Sequence, residues 1–74
     1  MELRIQSMRI GAKLTQRQVA EYLQCDQSLY SKYERGERAL PLELACELAD
    51  LYHTSVDYLL GRTDLPAPYP PPET

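Results

Sequence analysis

Residues 25–38, CDQSLYSKYERGER, carry a set of side chains able to make directed hydrogen bonds. Gln27 offers an amide that both donates and accepts. Ser28 and Ser31 offer hydroxyls that do either, and Lys32 a cation. These groups match what the major groove of a duplex presents. Gln can engage adenine N6 and N7 together, Lys can reach guanine O6 and N7 or a phosphate, and Ser can meet either kind of edge. A helix face turned to water shows the same residue types. The stretch alone therefore leaves two readings open, a solvated surface and a base-reading one.

The net charge of -3 argues against a polyanionic partner until it is mapped along the chain. Residues 1–38 hold seven Lys/Arg against five Asp/Glu, a net of +2, whereas residues 39–74 hold Arg62 alone against six acids, a net of -5. A polyanion would meet the first half and be turned away by the second. Within that first half, Gln16 and Arg17 stand at a helix start, where unpaired N–H groups and the helix dipole favour an anion. Lys13, Arg35 and Arg38 stand at the ends of neighbouring segments and could reach the same strand, though each could also be an ordinary surface cation.

Function classes follow from what the chain lacks as well as what it holds. At 74 residues it is one domain at most. So short a chain buries only about 60% of its unfolded surface, which leaves little core from which to cut a catalytic cleft. No paired catalytic groups stand out, and an enzyme is not expected. Cys25 and Cys46 are too few and too far apart for a zinc site, and His53 has no companion ligands, so neither metal nor cofactor is expected. Cys25 is expected to be a small buried side chain, and His53 a surface residue at a helix end. The opening MELRIQSMRI is amphipathic, and no apolar run approaches the ~18 residues of a membrane span. With two cysteines and no export signal, a cytoplasmic location is expected.

The elements that must position these residues are all helices, since no segment alternates with period two. A first helix is expected over residues 2–12, with Ile5, Met8, Arg9 and Ala12 on its inner face and Leu3 and Ile10 on a second apolar stripe. The segment TQRQ caps a second helix from Thr15 to about Gln24, with Val19, Ala20 and Leu23 inward. Asp26 caps a third over residues 27–35, stopped by Gly36. Pro41 opens a fourth, with Leu42, Ala45, Leu48, Ala49 and Tyr52 buried. Ser55 caps a fifth over residues 56–60, ended by Gly61. From residue 62, RTDLPAPYPPPET holds five prolines in thirteen residues and cannot continue a helix. The division expected is a domain over residues 1–62 and a proline-rich extended or flexible tail over residues 63–74. The Leu3/Ile10 stripe could be plain surface, or be covered by Leu65 and Tyr69 of the tail or by a second subunit.

Taken in order, Leu14-Thr15-Gln16, Ala20, Leu23, Ser31-Lys32-Tyr33-Glu34-Arg35-Gly36 and Asp57-Tyr58-Leu59-Leu60-Gly61 form a spaced pattern. Over about residues 3–64 the chain resembles the xenobiotic-response-element (XRE) type of helix-turn-helix family, the group of Cro and the phage-lambda-like repressors. The resemblance implies an all-α, five-helix, phage-repressor-like domain that binds double-stranded DNA and regulates transcription, most simply as a repressor and homodimer on a roughly palindromic operator. It implies that helix 27–35 enters the major groove, with Gln27, Ser28, Ser31 and Lys32 as base readers. It also implies that Tyr30 and Tyr33 pack inward and that Arg9 pairs with Glu34. Leu29 keeps two roles open, contact with a thymine methyl or packing at the edge of the turn. Dimerisation is expected on helices four and five, with Tyr58 and Leu42 or Leu44 as candidates. The alternative is an antitoxin-like regulator whose acidic half and PAPYPPP tail bind a protein partner.

Overall fold

The local signals place five helices, and the computed structural model, which describes residues 3–66, contains them: α1 (Ile5–Gly11), α2 (Gln16–Leu23), α3 (Gln27–Arg35), α4 (Leu42–Leu51) and α5 (Val56–Leu59). There is no strand among the described residues. The expected caps at Thr15, Asp26 and Ser55 are present. Thr15 Oγ1 accepts from the Gln18 amide at 3.1 Å while Gln18 Oε1 accepts from the Thr15 amide at 2.8 Å, which closes the capping box of α2. Asp26 Oδ2 accepts from the Ser28 amide at 3.0 Å, and Ser55 Oγ from the Tyr58 amide at 3.0 Å.

The helix stops obey one rule. After each helix a residue turns left-handed: Lys13 (φ 61°), Gln24 (φ 58°), Gly36 (φ 75°), His53 (φ 53°) and Gly61 (φ 75°). At each stop, the amide one residue later donates to a carbonyl five residues back. The pairs are Leu14 to Arg9, Cys25 to Ala20, Glu37 to Lys32, Thr54 to Ala49 and Arg62 to Asp57, at 2.9–3.1 Å. This is the Schellman closure, which satisfies carbonyls that a helix end leaves orphaned. Only two of the five positions are glycine, so the other three hold a side chain where the backbone disfavours one.

The core is Ile5 of α1, Val19, Ala20 and Leu23 of α2, Tyr30 and Tyr33 of α3, Leu48 and Ala49 of α4 and Leu59 of α5. Tyr30 lies at its centre, fully buried.

Several sequence expectations are corrected here. The first helix starts at Ile5, because the Arg4 amide is held by the Leu59 carbonyl at 2.8 Å and Arg4 takes a non-helical conformation. Leu3 therefore precedes the helix, and its spacing from Ile10 is not helical. Leu3 packs against the core while Ile10 is 58% exposed, so the two share no stripe. Leu65 does not cover them, being 72% exposed, and Tyr69 lies outside the described residues. Ala12 closes α1 and is exposed rather than inward. Pro41 is the N-cap of α4 and not its first turn, since its ψ of 147° is extended. Leu42 shares a face with Ala45 but sits a turn earlier, past the edge of the core, and is 68% exposed. Cys25 is half-buried and packs against the core, and desolvation, aided by the Asp26 charge, raises its thiol above the ordinary value.

Arg4 ties the start of α1 to α5 and the segment that follows it. Its guanidinium donates to the Thr63 carbonyl at 2.7 Å and to Asp64 Oδ1 at 2.6 Å, and lies 4.2 Å from the centre of the Tyr58 ring. Thr54 Oγ1 donates to the Pro66 carbonyl at 2.6 Å.

Candidate nucleic-acid interface

Helix α3 is oriented from within. Tyr30 and Tyr33 are buried and Leu29 packs half-buried against the core, so the opposite face looks outward. At 3.6 residues per turn that outward face carries Ser28, Ser31, Lys32 and Arg35, with Gln27 at its leading edge. Gln27 and Ser28 are exposed, and Ser31 and Lys32 half-exposed. Packing accounts for Leu29, and a thymine contact is not required to explain it.

A buried ion pair fixes how α3 sits. Arg9 Nε donates to Glu34 Oε2 at 2.7 Å, and Arg9 Nη2 to Glu34 Oε1 at 3.2 Å. Arg9 Nη1 also donates to the Leu14 carbonyl at 2.9 Å, within the turn that enters α2. Gln16 Nε2 donates to Glu34 Oε1 at 2.9 Å. The carboxylate thus joins α1, α2 and α3, and its side chain is only 2% exposed. Burial pushes the Glu34 carboxyl up, but the hydrogen bonds from Arg9 and Gln16, with the Tyr30 hydroxyl beside it, outweigh burial and hold it below the ordinary value. The same bond raises Arg9. Burial, then the Glu34 charge, raises the Tyr52 phenol to about 12, with Arg9 opposing, and raises Tyr30 for the same reasons.

The cations expected at phosphates are not alike. Lys13 and Arg38 are exposed. Arg17 is exposed and pairs with Glu21 one turn on, at 3.4 Å. Arg35 donates from Nε to Glu37 and from Nη1 to Ser31 Oγ. Gln16 holds the helix-start position expected of it, yet spends one amide proton on Glu34. Sequence reasoning missed that second duty, and the pairing of Glu37 with Arg35. No local spacing rule could have found the first, because 18 residues separate Gln16 from Glu34. The second was available as an Arg and a Glu flanking the left-handed Gly36.

The turn between α2 and α3 holds Gln24, Cys25 and Asp26, and α3 leaves it with its polar face outward. The Helix-turn-helix family model matches residues 5–59, from the first residue of α1 to the last of α5. The chain belongs to the XRE-type helix-turn-helix family. Within this family it is 43% identical over 65 residues to YobD of Bacillus subtilis (strain 168), described as an uncharacterized HTH-type transcriptional regulator. That match covers 88% of this chain and 58% of YobD. It is 36% identical over 62 residues to ImmR, an HTH-type transcriptional regulator of the same organism, covering 84% of this chain and 49% of ImmR. The chain thus spans about half the length of these curated relatives. No solved structure matches significantly. Among the described residues, no helix is long and apolar enough to cross a membrane.

Proposed function

We propose that this protein is a sequence-specific, DNA-binding transcriptional regulator of the cytoplasm that acts as a repressor by occupying its operator. The observation that carries the reading is the three-helix bond at Glu34, which fixes α3 with its polar face outward. Domain residues 1–62 do the binding. Gln27, Ser28, Ser31 and Lys32 read base edges, and Lys13, Gln16, Arg17, Arg35 and Arg38 contact phosphates, which give affinity and register without sequence information. The functional form is a homodimer on a roughly palindromic operator, its half-sites about 34 Å apart so that both α3 helices meet the same side of the duplex. The exposed Leu42 supports a dimer surface on α4 and α5, for which Leu44 and Tyr58 are the other candidates.

The test is selection of bound duplexes from random DNA at two salt concentrations. A two-fold symmetric motif is expected, with log affinity falling against log salt by about 0.9 per phosphate neutralised. Equal recovery of all sequences at both salts would refute the operator reading.

A further inference from the structure

We propose that Glu37, acting through Arg35, fixes Ser31 as a hydrogen-bond donor toward the base it faces; this rests on the base-reading role of α3. Gly36 at φ 75° turns the chain back at the end of α3, with the Glu37 amide bonded to the Lys32 carbonyl at 2.9 Å. The turn brings the Glu37 carboxylate to Arg35 Nε. Arg35 lies one helical turn after Ser31, and its Nη1 donates to Ser31 Oγ. The guanidinium is planar and rigid, so bonds at Nε and Nη1 together set its plane against the helix. Glu37 and Arg35 remain about half exposed, so the pair adds little stability and acts by position.

The consequence falls on the serine. A hydroxyl has one proton and two lone pairs. With its oxygen already accepting from a cation, the Ser31 hydroxyl is a poorer acceptor and a stronger donor. In the major groove, guanine (N7, O6), adenine (N7) and thymine (O4) present acceptors, whereas cytosine presents only the N4 donor. Ser31 therefore disfavours cytosine at the position it faces. Arg35 keeps three N–H donors for a phosphate, so positioning Ser31 does not exclude the backbone contact.

The experiment is the same selection, run on the full chain and on Ser31→Ala, Glu37→Ala and Glu37→Gln, each first checked for an intact thermal transition. The parent chain should deplete cytosine at one position per half-site. Ser31→Ala and Glu37→Ala should both relax that position, by about tenfold in the cytosine preference. Glu37→Gln, whose amide oxygen still accepts from Arg35 Nε, should retain it, which a simple charge effect would not. The proposal is overturned if Glu37→Ala keeps the depletion that Ser31→Ala loses, if Glu37→Gln relaxes it as Glu37→Ala does, or if Ser31→Ala relaxes no position. Failure of the parent chain to enrich any motif is a separate result, which removes the base-reading role itself.

Discussion

Replacing Arg9 by alanine removes three hydrogen bonds at once, two to Glu34 at 2.7 and 3.2 Å and one to the Leu14 carbonyl at 2.9 Å. What remains is a carboxylate whose side chain is 2% exposed in the parent chain, with the Gln16 amide and the Tyr30 hydroxyl as its polar neighbours. Breaking one side of a buried pair costs about 3–5 kcal/mol, because the partner charge is left in a poor solvent. A domain of this size has only about 4–11 kcal/mol in total. At about 4–8 °C per kcal/mol, the melting temperature should fall by at least ~12 °C at pH 7. The pH dependence gives a sharper test. In the parent chain the folded Glu34 titrates below its unfolded value of about 4.3, so its stabilisation is present above that pH and is lost as pH falls through the folded value. In Arg9→Ala the largest of the contributions that oppose burial is gone, so the folded carboxyl shifts upward and the stabilisation it supplies above its folded value shrinks. The gap between the two proteins should widen from pH 4 to pH 7, as followed by circular dichroism melting. A gap independent of pH, or a pH 7 melting temperature within ~3 °C of the parent, would refute the account of Glu34.

Other substitutions probe the helix ends and the Arg4 contacts. Gln24→Gly removes a side chain from a left-handed residue (φ 58°) and should stabilise by about 1 kcal/mol, read as a rise of several degrees in Tm. Asp26→Ala removes the acceptor of the Ser28 amide and should cost about 1 kcal/mol in denaturant unfolding, with the m-value unchanged. Arg4→Ala should cost about 1 kcal/mol, chiefly from the Tyr58 ring contact, since Asp64 is 96% exposed; Asp64→Ala should then be close to neutral in the same melts.

How the helices end shows the limit of local reading. Gly36 and Gly61 announce their stops, because glycine alone enters the left-handed region without penalty. Lys13, Gln24 and His53 adopt the same geometry with no such announcement. In those three cases the closing bond to a carbonyl five residues back is made all the same, with a side chain held in the left-handed position. Leu42 and Leu3 err in opposite directions for a related reason. Periodicity says which side of a helix is apolar, and it does not say where along the helix the neighbouring elements stop.

The sequence by itself determined the helix count, the caps at Thr15, Asp26 and Ser55, and the cationic first half. These depend on contacts within a turn or on a sum over residues. The matched motif also placed Gln27, Ser28, Ser31 and Lys32 together on α3. Tertiary structure decided which atoms meet. It made Glu34 the joint of three helices, gave Gln16 a second partner, packed Leu29 against the core and left Leu42 outside it. Those outcomes depend on groups distant in the chain, and the distances are set only when the whole core closes around Tyr30.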